Sequence, residues 1–77
     1  MTNYEPISDW RIRINGNEHG VPHVHGLFKD GSRVSVAIET RAALSGYVTP
    51  AKRLIPALAD IETNKRKYLD EYRRLNP

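Results

Sequence analysis

The sequence predicts a small α+β domain, an antiparallel sheet of three to four strands packed by one long C-terminal helix. Three observations predict this class. Residues 10–38 contain short segments of alternating apolar and polar residues, and an Asp-Gly pair at 30–31 marks a tight hairpin turn. From residue 54 onward, apolar residues recur at spacings of three and four. A chain of 77 residues is expected to form a single domain, 1–77, with the sheet over about 8–48 and the helical part over about 50–75.

The first two strands flank a loop that is rich in chain-breaking residues. In the segment DWRIRIN, every second residue from Trp10 to Ile14 is apolar and the residues between them are arginines. This alternation is typical of a strand with one buried face. A loop containing Gly16, Gly20 and Pro22 follows, and the segment HVHGLF at 23–28 is the second predicted strand.

Two further strands are predicted after the Asp-Gly turn. The segment RVSVAIE at 33–39 again alternates apolar and polar residues. The segment ALSGYV at 43–48 is a weaker fourth candidate, in which Gly46 marks a bend or a bulge.

The C-terminal part is predicted to be an amphipathic helix. Thr49 and Pro50 suit an N-cap and a first helical turn, whereas Pro56 is unfavourable inside a helix. We therefore expect either a kink over 52–56 or a short turn there, followed by a main helix that starts near Pro56. Lys65 interrupts the apolar stripe. The predicted core comprises Trp10, Ile12, Ile14, Leu27, Val34, Val36, Ile38, Leu54, Leu58, Ile61, Leu69 and Tyr72.

The composition excludes several classes of protein. The chain has no cysteine, so it has neither disulfides nor thiolate ligands. It has no apolar run of membrane-spanning length, and its first ten residues do not form a signal peptide, so we expect no membrane association and a cytoplasmic location. The net charge of +3 favours phosphate or an acidic protein as a partner. For the basic segment NKRKYLDEYRR, a solvated helix face is the favoured interpretation, because Glu62–Arg66 and Asp70–Arg74 are spaced as ion pairs along a helix.

All three histidines of the chain lie in HGVPHVHG, residues 19–26. His23 and His25 fall on the same face of a strand, and His19 lies in a loop that can fold back towards them. Three interpretations remain open: a site for zinc or another divalent transition metal on the three histidines, an acid–base site without a cofactor, or a polar sheet edge. For the metal site, Glu18, Asp30 and Glu39 are candidates for a fourth ligand.

The acid–base interpretation points to RNA. Two positioned imidazoles can act as base and acid when an internal 2′-hydroxyl cleaves a phosphodiester. The additional phosphate charge then needs cations, for which nearby basic residues are the candidates. The predicted nucleic-acid contacts are Lys29, Arg33, Lys65 and Arg66.

The segments RIRINGNEHGVPHVHGLF, VSVAIETRAALSGYVTPAKRL and NKRKYLDEY together resemble a family of short bacterial proteins of unknown function with a His-x-x-Pro-His-x-His motif. The resemblance extends from about Ile7 to Tyr72. The matching positions are His19, Pro22, His23, His25, Ile38, Glu39, Gly46, Asn64 and Lys65. Departures from the family pattern are Val21, Val24 and Gly26, which replace a second proline, an aromatic residue and a branched apolar residue.

Members of this family are typically encoded beside a second small protein and resemble the toxin of a type II toxin–antitoxin module. The resemblance implies a toxin-like component with a small cognate antitoxin as its partner. The positive charge, the imidazole chemistry and an analogy with small toxins in general favour RNA as its target. His19, His23, His25 and Lys65 are the predicted catalytic residues of a metal-independent ribonuclease. The family's recurring pairing of Asn or His with a basic residue suggests that Asn64 or Lys65 reaches towards the histidines. The alternatives are a non-enzymatic protein- or nucleic-acid-binding module and a histidine-based metal-binding protein.

Overall fold

The computed structural model describes residues 1–77, which form a five-stranded antiparallel sheet and a helical layer. The strands neighbour one another in the sheet in their sequence order. They are β1 (Thr2–Asn3), β2 (Trp10–Ile14), β3 (His23–Phe28), β4 (Arg33–Ala37) and β5 (Ala43–Gly46). A 3-10 turn at Ala51–Leu54 then leads into helices α1 (Ile55–Thr63) and α2 (Lys65–Leu75). None of these helices is long and apolar enough to cross a membrane.

The α+β class is confirmed, but the predicted number of strands was too low. The additional strand β1 has two residues, which pair with Ile14 and Arg13 of β2. The Thr2 hydroxyl also donates a hydrogen bond to the Glu71 carboxylate of α2. Two residues are too few to show an alternating pattern, so only their pairing with β2 identifies them as a strand.

The prediction of one long C-terminal helix is also corrected, because the helical segment is divided at Asn64. Asn64 has φ −108° and ψ 24°, outside the helical range. Its side-chain amide donates to the carbonyl oxygen of Asp60 at 3.1 Å and to the Asp60 carboxylate at 2.9 Å. Such local bonds compete with regular helical geometry. At the other end, Pro56 lies in the first turn of α1, after the short turn that was one of the two expected arrangements.

One hydrophobic core lies between the helices and one face of the sheet. Alternation in the strands directs Ile12, Val24 and Val34 into it, and Ile61 and Tyr68 cover them from the helices. Leu27 was wrongly predicted to lie in this core. Because β3 pairs with β2 and β4 without a bulge at Gly26, Leu27 shares the opposite face with His25. Leu54 and Leu58 are only partly buried against the core.

The last residue of β5, Gly46, cannot be replaced by a residue with a side chain. Gly46 has φ +78°, and a Cβ atom at this position would lie 2.1 Å from the carbonyl oxygen of Arg33. Only a residue without a side chain permits this approach of β5 to β4.

The helices leave the other face of the sheet uncovered. We call this surface, formed by Arg11 and Arg13 of β2, His25 and Leu27 of β3, and Arg33 and Ser35 of β4, the open face. These six residues are half-buried or exposed. The polar side chains of three neighbouring strands therefore share one accessible surface.

Candidate functional site

Glu18, His23 and His25 converge where the loop between β2 and β3 enters β3. One ligand atom from each residue lies within 4.8 Å of the other two. The carboxylate of Glu18 is 3.1 Å from Nε2 of His25 and 3.7 Å from Nε2 of His23. We call these three residues the Glu–His cluster.

The imidazole of His23 is held from two sides. Its Nδ1 atom lies 2.8 Å from the carbonyl oxygen of Val21. A carbonyl oxygen only accepts hydrogen bonds, so this nitrogen carries a hydrogen and donates it. The ring also contacts the rings of His25 and Tyr72, with centroids 5.2 and 5.6 Å away. His23 is buried, with 8% of its surface exposed, so its Nε2 has a fixed direction towards Glu18.

The imidazole of His25 is oriented by the neighbouring strand. Its Nε2 lies within hydrogen-bond distance of the Glu18 carboxylate, and its Nδ1 lies 3.1 Å from the hydroxyl oxygen of Ser35. Ser35 is directly opposite His25 in the pairing of β3 with β4. The register of the sheet therefore supplies the second partner of this ring.

The loop that carries Glu18 is fastened to the C-terminal end of α2. The backbone N–H of Glu18 donates to Oδ1 of Asn76 at 2.7 Å, and the Asn76 amide donates to the carbonyl oxygens of Asn15 and Tyr72 at 3.0 Å.

Hydrogen bonds from His25 and, more weakly, from Asn15 hold the pKa of the Glu18 carboxyl below its ordinary value. Burial, reinforced by the Glu18 charge, raises the pKa of the Tyr72 phenol.

Arginines adjoin the cluster on the open face. Arg13 is directly opposite His25 in the pairing of β2 with β3, and Arg33 is opposite Leu27 in the pairing of β3 with β4. Arg11, Arg13 and Arg33 form no ion pair with a carboxylate. One depression in this surface is lined by Arg13, Asn15, His25, Leu27, Arg33, Ser35, Ser45 and Gly46. An anion there would meet guanidinium groups and an imidazole together.

The structure brings together two of the three predicted histidines. His19 is exposed in the loop and lies outside the Glu–His cluster, in which Glu18 takes the third position. The arrangement of three histidines expected from the sequence is thus replaced by two histidines and one carboxylate.

The predicted basic residues are dispersed over the molecule. Arg33 lies on the open face, and Lys29 is exposed in the turn after β3. Lys65 is half-buried at the start of α2, and no hydrogen bond or ion pair joins it to a histidine. Arg66 pairs with Asp70 on the helical layer at 3.4 Å. Asn64 is turned to Asp60 and makes no bond to the cluster.

Four members or supports of the site were not predicted from the sequence: Arg13, Ser35, Tyr72 and Asn76. The alternation of DWRIRIN does carry a signal for Arg13, because a residue between core positions faces the same side of the sheet as His25. Ser35 is opposite His25 only through the strand register, and Asn76 reaches the loop only through the position of α2. No pattern of neighbouring residues identifies these two.

No protein-family model, curated protein or solved structure matches this chain.

Proposed function

We propose that this chain is the toxin-like component of a bacterial type II toxin–antitoxin pair and that it cleaves RNA in the cytoplasm. The observation that carries the proposal is the position of the Glu–His cluster beside the unpaired arginines of the open face. Side chains that can transfer protons thus lie beside side chains that can bind phosphate, on one accessible surface.

The geometry suits cleavage of RNA by its own 2′-hydroxyl. The Glu18 carboxylate accepts the proton of the 2′-hydroxyl as the bond from O2′ to phosphorus forms. A protonated imidazole of the cluster donates a proton to O5′ as the bond from phosphorus to O5′ breaks. The products are a 2′,3′-cyclic phosphate and a free 5′-hydroxyl. Arg13 and Arg33 stabilise the additional negative charge on the phosphoryl oxygens in the transition state.

A small cognate antitoxin is the proposed protein partner. The sheet ends in β5, whose four residues Ala43–Gly46 are all exposed. An exposed edge strand offers free backbone donors and acceptors to an added strand. This edge supports the proposal of a protein that pairs with the toxin, as the resemblance to toxin–antitoxin families implies.

The direct test is incubation of the purified chain with a single-stranded RNA in the presence of EDTA. Wild type is expected to produce fragments that end in a cyclic phosphate, and the same sequence made of DNA is expected to remain intact because it lacks the 2′-hydroxyl. Glu18→Gln and His25→Ala should lose this activity, whereas His19→Ala, a change at the exposed histidine, should retain it. Intact RNA with wild type would overturn the proposed cleavage.

The cellular test is inducible expression in a bacterial host. Wild type and His19→Ala are expected to arrest growth, and His23→Ala and His25→Ala to permit it, with folding of each variant verified by circular dichroism. Unimpaired growth on expression of wild type would contradict a toxin.

The unpaired arginines also favour a second candidate, a module that binds RNA without cleaving it. Three guanidinium groups on an uncovered sheet suffice for phosphate contacts. Retention of RNA by wild type in a filter-binding assay, with the RNA recovered intact, would identify this function.

A further inference from the structure

The Glu–His cluster has the dimensions of a metal site. When a metal ion is bound tetrahedrally by nitrogen and oxygen at about 2.0–2.1 Å, its ligand atoms lie about 3.3 Å from one another. Oε1 of Glu18 is 3.1 Å from Nε2 of His25, and Oε2 of Glu18 is 3.7 Å from Nε2 of His23. One ligand atom from each of the three residues lies within 4.8 Å of the other two, so the side chains need to contract around an ion by about 1 Å or less.

The orientation of His23 adds an independent observation. Its Nδ1–H is committed to the Val21 carbonyl, so the neutral ring presents the lone pair of Nε2 to the Glu18 carboxylate. Two electron-rich atoms that face each other are stabilised by a positive ion between them. A histidine ligand that donates its other N–H to a backbone carbonyl is also the usual arrangement around protein-bound metals.

The imidazole of His25 also has a hydrogen-bond partner for the ring nitrogen that faces away from Glu18, the hydroxyl of Ser35. Without an ion, Nε2 of His25 donates a hydrogen bond to Glu18. When an ion replaces this hydrogen, the Ser35 hydroxyl is able to accept a hydrogen bond from Nδ1, and the Nε2 lone pair then binds the ion. Both imidazoles of the cluster are thus supported on the side that faces away from Glu18.

We infer that Glu18, His23 and His25 bind one divalent transition-metal ion of the zinc class. Two imidazole nitrogens and one carboxylate oxygen are a ligand set that Zn²⁺ accepts, and such a set leaves a coordination position for water or a substrate oxygen. The side chains of Glu18 and His25 are 27% and 19% exposed, so an ion reaches the cluster from solvent. His19 is not a ligand.

The metal site goes beyond the proposed function and is measured without RNA. A bound ion occupies the lone pairs of Glu18, His23 and His25 that proton transfer requires, so zinc should inhibit the cleavage of RNA. Only this consequence rests on the proposed function. If wild type does not cleave RNA, the zinc titration still tests the metal site, and if wild type does not bind zinc, the cleavage assay in EDTA still tests the proposed function.

The test is calorimetric titration of zinc chloride into the 77-residue chain, prepared without a histidine tag. Wild type is expected to bind one ion per chain, and Glu18→Gln and His23→Ala to lose this binding. His19→Ala is the matched control and should bind as wild type does, because its histidine lies outside the cluster. Ser35→Ala should weaken binding about tenfold by removing the support of His25, whereas Ser45→Ala, at the neighbouring position of β5, should not.

Cobalt provides a second readout that uses wild type alone, so it does not require any variant to fold. Co²⁺ bound by wild type should show the intense visible absorption of a four-coordinate ion, and zinc should displace it. Absence of zinc binding by wild type, binding that survives both Glu18→Gln and His23→Ala, or loss of binding in His19→Ala would each overturn the inference.

Discussion

Nε2 of His25 lies 3.1 Å from Oε1 of Glu18, a residue seven positions earlier in the chain. The loop between Glu18 and His25 is short, but its position depends on a contact with a distant part of the chain. Asn76 holds the backbone of both Asn15 and Glu18, from the far end of the sequence. The candidate site therefore depends on the docking of α2 as well as on its own residues.

Asn76→Ala is expected to impair the site and to lower the free energy of unfolding by about 1–2 kcal/mol, because it removes the side-chain bonds to Glu18 and Asn15. The measurement combines urea unfolding with the RNA cleavage assay. Arg73→Ala, on an exposed residue of the same helix with no ion pair, is the control. A fully active Asn76→Ala variant would show that Glu18 keeps its place without this anchor.

Arg13→Ala and Arg33→Ala are expected to weaken RNA binding and to reduce its dependence on salt. Each phosphate contact that is lost should lower the slope of log K against log salt by about 0.7 for a single strand. The experiment is a titration of fluorescent single-stranded RNA at several salt concentrations. Arg66→Ala should leave the slope unchanged, since Arg66 lies on the helical layer. An equal effect of Arg66→Ala would place RNA elsewhere than on the open face.

Lys65→Leu distinguishes a structural role of this lysine from a role in the site. Because Lys65 makes no bond to the cluster, we expect growth arrest to persist and the free energy of unfolding to change by less than about 0.5 kcal/mol. Growth assays and thermal unfolding measure the two quantities. Loss of arrest in a stably folded variant would instead assign Lys65 to the active surface.

Gly46→Ala should be strongly destabilising. The left-handed backbone costs about 1 kcal/mol for alanine, and the clash of a Cβ atom with the Arg33 carbonyl raises the total to about 3 kcal/mol. Gly20→Ala is the matched control, because Gly20 also has a positive φ, +90°, but a Cβ atom there would have no neighbouring atom within 4 Å. Equal losses for the two variants, measured by chemical unfolding, would contradict the close approach of β5 to β4.

Glu71 should contribute to stability in a manner that depends on pH. Hydrogen bonds from Arg74 and Thr2 lower the pKa of the Glu71 carboxyl from 4.5 to about 2. A lowered pKa in the folded state means that the contribution is complete above about 4.5 and is lost as the pH falls towards 2. Glu71→Gln should therefore be less stable than wild type at neutral pH, and this difference should shrink in acid.

Unfolding of wild type and Glu71→Gln by urea across that pH range measures the difference. Glu5→Gln is a suitable control, since Glu5 is exposed and makes no hydrogen bond or ion pair through its side chain. A difference between wild type and Glu71→Gln that is constant with pH would show that the carboxylate does not fasten β1 to α2.

Much of the fold was predictable because it depends on local periodicity. The alternation around Trp10 and Ile12 places apolar side chains on one face of a strand, and the Asp-Gly pair after Lys29 closes a hairpin. Leu27 shows the limit of this reasoning. Its apolar character suits a core, but the unbroken register of β3 assigns it to the face of His25.

Local patterns along the chain are enough to predict the class of the domain and the shared face of His23 and His25, because residues two apart on a strand point to the same side of the sheet. The third member of the cluster, in contrast, depends on how distant parts of the chain pack together. Neighbouring positions in a loop, such as Glu18 and His19, have no periodicity that distinguishes an inward from an outward side chain. Glu18 takes its position because Asn76 binds its backbone, and His25 is oriented because the strand register places Ser35 and Arg13 beside it. Both arrangements arise only when the helices and the sheet have packed together.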